Sequence, residues 1–348
     1  MFSLAFRHGL AQTDDWLRAR AAELSALPRT PAGASFALDY LVGEWTRQAR
    51  PLALLYQECR ATPSDGVGDD WTRLWRDFWL RTAGEFGLGE TDGRLLHAFF
   101  ESEALYNLST WSPALERAAL RELCDHFGSG WLGAPRTAAA GALALAERAA
   151  TAQPGSPETP AAARIAEAAA KVVETVGLGG LTHRAVAARA GVTTGAVTHH
   201  FRTIEDLVAG AIRGQVLAIA QEAPDGPAPL PLADTIDTPD GFFEAVRRYA
   251  VADRPAGPIL RRRNLFLAAV RRPEQASAAA VIRFAYGGTV RQMLVRSFGL
   301  PASDVALDAA VISRLLASIW LACSADLSPR STRAALVARI AGRLEYPS

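Results

Sequence analysis

The sequence predicts an all-α protein, and two patterns support that prediction. Apolar residues recur at helical spacing, for example from Ile165 to Val176, whereas the apolar–polar alternation typical of strands is absent. The chain has 348 residues, of which 49% are hydrophobic, so it is long enough for more than one packed domain. The formal net charge is +1, and any binding to nucleic acid must therefore depend on a local surface.

The cysteines argue against two kinds of structural site, a disulfide and a zinc centre. Cys59, Cys124 and Cys323 are few, odd in number and widely spaced, which argues against a disulfide framework or a zinc site. We interpret them as small buried residues. No segment resembles a signal peptide or an apolar span of membrane length. These features predict a cytoplasmic protein that has no membrane partner.

The histidines do not suggest an active site. His8, His97 and His126 are scattered, with neither metal-ligand spacing nor a nearby nucleophile pattern. No glycine-rich phosphate loop follows a strand. We therefore predict that the protein is not an enzyme and that it uses no metal or cofactor.

The segment 181–201 predicts two helices joined by a tight glycine turn. Thr182 is suited to cap the first helix and Thr193 to cap the second. Gly191 supplies the positive φ that such a turn requires. This pattern is typical of a helix-turn-helix that binds DNA, with an ordinary helical hairpin as the alternative.

Short polar side chains on the outer face of this motif are suited to approach base edges and phosphates. The predicted DNA-binding residues are Thr182, Thr193, Thr194, Gly195, Thr198, His199, Arg202 and Thr203.

The flanking sequence resembles a known family. The order A-G-V-T-x-G at 190–195, followed by H-H-F at 199–201, resembles the DNA-binding domain of the TetR family of bacterial transcriptional regulators. The resemblance spans residues 161–213. Two positions depart from the family pattern: Thr198 replaces a usual Tyr and Ile204 a usual Lys. Both family residues commonly touch phosphate, so weaker non-specific affinity is expected here, with His199, Arg202 and Thr203 left to contact the DNA backbone.

An internal repeat surrounds this motif. Phe-Gly-Leu occurs at 86–88 and again at 298–300, and Arg-Ala-Ala-Leu occurs at 117–120 and again at 333–336. Each copy resembles the all-helical C-terminal domain of the family, which implies a small-molecule pocket and a dimer interface. The predicted domains are a first sensor copy at 1–135, an Ala-rich helix and Pro-rich linker at 136–160, the helix-turn-helix domain at 161–213, and a second sensor copy at 214–348.

The start of the chain suggests how this arrangement arose. Residues 1–10 resemble 207–216, which lie inside the fourth helix of the DNA-binding domain. We interpret the chain as a tandem fusion of two regulators that lacks the first DNA-binding domain. The two copies are expected to pair within the chain as a pseudo-dimer, through a bundle formed by 92–127 and 304–343, with pairing of two chains as an alternative. The residues expected to face one another across this bundle are Leu95, Leu96, Phe99 and Phe100 on one side and Val311, Ile312, Leu315 and Leu316 on the other.

Aromatic residues indicate a candidate ligand site in the first copy. Trp71, Trp75, Phe78 and Trp79 form one stripe on a helix, and Trp45 and Tyr56 are candidates to join it. A bulky core seam is an equally good interpretation of such a stripe. The predicted ligand-binding residues are Trp45, Tyr56, Trp75 and Trp79 in the first copy and Tyr286, Met293 and Trp320 in the second. The run Arg261–Arg263 is interpreted as a solvated face, with binding of an anionic ligand or an acidic partner as the alternative.

Together these observations predict a transcriptional regulator that binds an operator in double-stranded DNA. The resemblance implies a repressor released by a small-molecule effector. The alternative is a sensor or co-regulator whose helix-turn-helix no longer binds DNA, which Thr198 and Ile204 favour.

Overall fold

The fold is given by a computed structural model, which describes residues 2–61, 66–134, 141–151, 159–176, 180–221, 236–251, 257–321 and 330–344. Within these ranges every regular element is helical, which confirms the all-α prediction. The α-helices are α1 (Phe2–Leu24), α2 (Pro31–Arg47), α3 (Arg50–Ala61), α4 (Val67–Glu85), α5 (Glu90–Tyr106), α6 (Pro113–Trp131), α7 (Ala142–Thr151), α8 (Pro160–Val176), α9 (His183–Ala190), α10 (Thr194–His200), α11 (Ile204–Gln221), α12 (Pro239–Val251), α13 (Gly257–Val270), α14 (Ala276–Phe284), α15 (Gly288–Phe298), α16 (Ala306–Leu321) and α17 (Arg330–Arg343). A 3-10 turn, Pro273–Gln275, precedes α14.

Several helix ends lie where the sequence predicts them. Ser112 is the N-cap of α6 and Pro113 is its first residue. The Phe-Gly-Leu motif ends both α4 and α15, with φ values of 73° at Gly87 and 66° at Gly299. The second Ser-Pro pair, at 328–329, lies outside the described residues.

Helices α1–α6 form an N-terminal unit. Helix α4 packs against α1, α3 and α5, and α2 packs against α6, α5 and α3. The core of this unit is rich in aromatic residues, since Trp45, Trp71, Trp75 and Trp79 are all at most 1% exposed.

Helices α11–α17 form a C-terminal unit, whose contacts follow an order similar to that in the N-terminal unit. Helix α14 packs against α11 and α13, as α4 does against α1 and α3. Helix α15 packs against α16, as α4 does against α5, and α12 packs against α17, as α2 does against α6.

The two units meet mainly through the last two helices of each unit. Helix α5 packs along α16 and also contacts α17, and α6 contacts α16. Helix α7 lies against both α6 and α14. The eight apolar residues expected to face one another here are all buried. The rings of Phe99 and Phe100 nevertheless have partners in their own unit, because Phe99 stacks on Phe127 at 4.6 Å and Phe100 lies 4.2 Å from the ring of Trp75.

Polar contacts also join the two units. His126 Nε2 lies 2.9 Å from a carboxylate oxygen of Asp308. Arg339 donates to Asp92 at 2.8 Å and to the Trp131 carbonyl at 2.7 Å.

Three sequence-based expectations need correction or qualification. Arg263 is not on a solvated face: it is 4% exposed and donates to the backbone carbonyl and side-chain oxygen of Gln57 in the N-terminal unit. The side chains of residues 261 and 262 lie outside the described residues. The Ala-rich helix of the linker begins at Ala142, and α11 runs unbroken through residue 213, the predicted end of the helix-turn-helix domain.

The cysteines that the structure describes are buried. Cys59 is 1% exposed and Cys124 is fully buried. Burial raises the pKa of the Cys124 thiol well above its usual value. Cys323 lies outside the described residues.

Among the described helices, none is both long enough and apolar enough to cross a membrane.

Candidate DNA-binding face and effector sites

The helix-turn-helix is built from α9, α10 and the turn between them. The Thr182 side chain accepts the N–H of Ala185, and the Thr193 side chain accepts the N–H of Ala196, both at 3.1 Å. Each threonine therefore caps the start of its helix, as predicted. Gly191 ends α9 in the left-handed conformation, with φ 66°, which allows the sharp turn into α10.

This motif is supported from behind by α8 and α11. Val186 and Val197 are fully buried, and α8 packs against α9, α10 and α11. Phe201 is 1% exposed and lies over Gly210 of α11, where an added Cβ would come within 2.4 Å of the ring. The absence of a side chain at Gly210 thus lets the end of the motif dock closely on α11.

Two further contacts fix the exit from the motif. His183 Nε2 lies 2.8 Å from the Phe201 carbonyl oxygen. The Thr203 N–H donates to Asp206 Oδ2 at 3.1 Å, and the Asp206 N–H donates to Thr203 Oγ1 at 3.0 Å. This reciprocal pair is the capping box that the sequence predicts at the start of α11.

The outer surface of the motif, which we call the α10 face, is open to solvent. Each of the eight predicted DNA-binding residues is exposed: Thr182, Thr193, Thr194, Gly195, Thr198, His199, Arg202 and Thr203. Their side chains are short or carry hydrogen-bonding groups, so this face can approach a groove without steric obstruction.

The two side chains that depart from the family pattern, Thr198 and Ile204, differ in their contacts. The Thr198 hydroxyl donates within α10, to the carbonyls of Thr194 and Gly195 at 3.2 and 3.1 Å. Ile204 is 39% exposed at the first position of α11. Neither side chain supplies a charge to the α10 face.

Comparison with known proteins assigns this motif to a family. Residues 165–211 match the model of the family described as "Bacterial regulatory proteins, tetR family". The solved structure of the multidrug-binding protein EbrR, in complex with malachite green, shares 30% sequence identity with the chain over 50% of this chain and 95% of that one. The chain belongs to the TetR family. The TM-score with EbrR is 0.27, so the assignment rests on the family match and the sequence identity. No curated protein sequence gives a significant match.

The family assignment makes the chain a regulator of transcription rather than a member of an enzyme family. In the part of the chain that the structure describes, no three His, Cys, Asp or Glu side chains come together in a group that could hold a metal ion.

Helix α11 connects the DNA-binding motif to the C-terminal unit. It packs closely along α8 of the motif and also contacts α13, α14 and the 3-10 turn. Because α13 and α14 contact α11 directly, a shift of either helix acts on the helix that joins the motif to the C-terminal unit.

The predicted ligand residues of the N-terminal unit come together in one aromatic cluster. The ring of Trp45 lies 5.0 Å from that of Trp75 and 6.5 Å from that of Tyr56. Trp79 joins the cluster through Phe100, at 5.5 Å. The sequence analysis missed Trp16, whose ring lies 5.3 Å from that of Trp45, because Trp16 stands alone in its segment.

Hydrogen bonding within this cluster is incomplete. The indole N–H groups of Trp71, Trp75 and Trp79 are buried and have no hydrogen-bond acceptor among the residues that the structure describes. A buried donor without an acceptor is costly, so these three groups mark a place where an acceptor would stabilise the protein.

A buried ion pair borders the cluster and was also missed by the sequence analysis. Glu101 pairs with Arg60, and the Tyr56 hydroxyl donates to Glu101 at 2.7 Å. Burial alone would raise the pKa of Glu101, but the charge of Arg60, the nearby His97 side chain and the hydrogen bond from Tyr56 outweigh it and lower the pKa to about 2. Glu101 is therefore an ionised carboxylate whose charge is already matched.

Two of the predicted ligand residues of the C-terminal unit have side chains that the structure describes. Tyr286 lies at the junction of the two units, where its ring is 4.9 Å from that of Tyr106 and its hydroxyl donates to the Ser313 carbonyl. Met293 is fully buried in α15. The side chain of Trp320 lies outside the described residues.

Proposed function

We propose that the protein is a ligand-responsive transcriptional repressor that binds operator DNA through the α10 face. The observation that carries this proposal is the combination of an exposed recognition helix, capped by Thr193, with α11, which contacts both the motif and the C-terminal unit. Through α11, an effector that displaced α13 or α14 would tilt the motif and change its fit to the major groove.

For the effector, we propose an aromatic small molecule that carries hydrogen-bond acceptors. The aromatic cluster offers stacking surfaces, and the indole N–H groups of Trp71, Trp75 and Trp79 lack acceptors. The charge of Glu101 is already matched by Arg60, so a cationic group is not required at this site. The alternative is that the cluster is simply a packed core.

Titration with flavone, a neutral aromatic ketone whose carbonyl oxygen is a hydrogen-bond acceptor, is the first test of this effector site. Binding should quench tryptophan fluorescence in the parent and weaken in Trp75→Leu, while Trp111→Leu, a variant outside the cluster, should bind like the parent. Equal binding by all three proteins would favour the packed-core interpretation.

We also propose that the N-terminal and C-terminal units are the two tandem sensor copies, paired within one chain as a pseudo-dimer. The similar order of helix contacts in the two units and the packing of α5 along α16 support this proposal. One chain then presents a single α10 face. A two-fold operator would require two chains, since paired recognition helices read half-sites about one helical turn apart.

A mobility-shift assay on the promoter region of the protein's own gene tests DNA binding. We expect the parent to shift the fragment at low salt and Thr194→Ala/His199→Ala to lose the shift while keeping its helical circular dichroism. A matched control, Arg18→Ala, changes an exposed side chain of α1 and should shift DNA like the parent.

The second candidate function is a sensor or co-regulator that does not bind DNA. It is favoured by Thr198, whose hydroxyl is occupied within α10, and by the exposed apolar side chain of Ile204. If neither the parent nor the double variant shifts DNA at low salt, the sensor function replaces the repressor function.

A further inference from the structure

One acidic and two basic side chains form ion pairs in the contact between the N-terminal and C-terminal units. Glu103 is fully buried on α5, while Arg283 on α14 and Arg314 on α16 are at most 1% exposed. Glu103 Oε1 accepts from Arg283 Nη2, and Glu103 Oε2 accepts from Arg314 Nε, both at 2.9 Å. We call these three residues the buried triad. Its acid comes from one unit and both of its cations come from the other.

Neighbouring groups add further polar contacts to the triad. Arg314 Nη1 donates to the carbonyls of Tyr286 and Ala310 at 3.3 Å, and Glu116 Oε1 lies 3.6 Å from Arg283 Nη1. A charge removed from water is tolerated only when it is paired and hydrogen-bonded, so each member depends on partners across the junction.

The internal repeat reveals the symmetry of this contact. The residue offset that aligns Phe-Gly-Leu at 86–88 with its second occurrence at 298–300 also aligns Ser102 with Arg314. These two residues touch, because the Ser102 hydroxyl donates to the Arg314 carbonyl at 2.7 Å. Equivalent positions that touch one another lie next to a two-fold axis, so α5 and α16 meet as the two halves of a pseudo-symmetric pair.

The charges, by contrast, are not symmetric. The same residue offset aligns Glu103 with Leu315 and Trp71 with Arg283. If two N-terminal units paired in this way, Glu103 would face a serine and a tryptophan and would be buried without a cation. If two C-terminal units paired, Arg283 and Arg314 would face Leu315 and would be buried without an acid.

We propose that the buried triad is a pairing code: it selects the contact between unlike units and excludes pairing of like units from two chains. This inference rests on the tandem pairing proposed above. The partner that fits the α5 surface is therefore the C-terminal unit, and two chains must associate through some other surface if they are to present two α10 faces to DNA.

The test measures whether like units of two chains pair, in two versions of the full-length protein. One is the parent, and the other carries Glu103→Leu, Arg283→Met and Arg314→Leu, which replace the triad by apolar side chains of similar size. Ser102→Cys is added to both, because residue 102 of one chain would meet residue 102 of another only if like units paired. Each protein is refolded from urea at high concentration and then oxidised, and peptide mapping identifies the disulfides.

In the parent background, we expect no disulfide that joins position 102 of one chain to position 102 of another. In the triad-replaced background, we expect a large fraction of the chains to be linked in this way. Equal cross-linking in the two backgrounds, or none in the triad-replaced protein, would overturn the pairing code.

A separate measurement tests the tandem pairing itself. In a double-mutant cycle on the urea midpoint, Glu103→Leu and Arg314→Leu should each lower the midpoint, and their combination should lower it by much less than the sum. Additive effects would show that the two units do not pair, whereas strong coupling without selective cross-linking would show that they pair without a code.

Discussion

Docking of the DNA-binding motif on α11 depends on the close contact between Gly210 and Phe201. A Cβ added at Gly210 would lie 2.4 Å from the Phe201 ring, at least 1 Å inside the ordinary contact range of 3.4–4 Å. Overpacking of this kind costs about 1–3 kcal/mol. Gly210→Ala also gains about 1 kcal/mol from the higher helix propensity of alanine, so the net change in unfolding free energy is smaller than the clash alone.

Gly84→Ala is the matched control, because Gly84 lies in helix α4 and an added Cβ meets nothing within 4 Å. Gly84→Ala should stabilise the protein by about 1 kcal/mol, so the two variants should differ by about 1–3 kcal/mol in unfolding free energy. Urea denaturation measures this difference, and hydrogen exchange should locate the loss of protection in residues 183–201.

A rescue variant makes the test specific. Phe201→Leu removes the ring that the new methyl group would meet, so adding it to Gly210→Ala should cost less than the sum of the two single changes. If Gly210→Ala stabilises the protein as much as Gly84→Ala does, or if the two changes at the contact are additive, the proposed docking of Phe201 on α11 is wrong.

Two further predictions concern the cap of α10 and the buried ion pair. Thr193→Ala should lower the unfolding free energy by about 1 kcal/mol, because the Ala196 N–H loses the hydroxyl acceptor and keeps only the Thr193 carbonyl. Thr194→Ala, which removes no cap, should change it by less than half as much in the same urea titration. The pKa of Glu101 is lowered from 4.5 to about 2 in the folded protein, so its contribution to stability is complete above pH 4.5 and is lost as the pH falls toward 2. The unfolding free energy of Glu101→Gln should therefore fall less steeply than that of the parent between these pH values, and parallel curves would contradict this assignment.

Local patterns predicted the DNA-binding motif well. Thr182, Gly191 and Thr193 act through their own backbone neighbours, so their roles as two caps and a turn could be inferred from spacing alone. The helix ends at Gly87 and Gly299 were predictable for the same reason.

Contacts between distant segments were much harder to predict. The run that includes Arg263 looked solvated, because a sequence pattern does not show that Gln57, some 200 residues away, supplies buried acceptors. Tyr286 is a predicted ligand-binding residue, and the sequence pattern gives no sign that its ring lies against Tyr106 of the other unit. Single charged residues such as Glu103 carry no periodic signal, and their burial is decided by which helices meet.

The most direct test of the central claim is the salt dependence of DNA binding by the full chain, measured by fluorescence anisotropy with labelled promoter DNA. Affinity should fall linearly with the logarithm of the salt concentration, with a slope of about −0.9 for each phosphate contacted. Arg202→Ala, on the α10 face, should weaken binding and reduce the magnitude of the slope by about 1, while Arg18→Ala should leave both unchanged. If the anisotropy does not rise even at the lowest salt concentration, or if the three slopes are equal, the α10 face is not the surface through which this protein binds DNA.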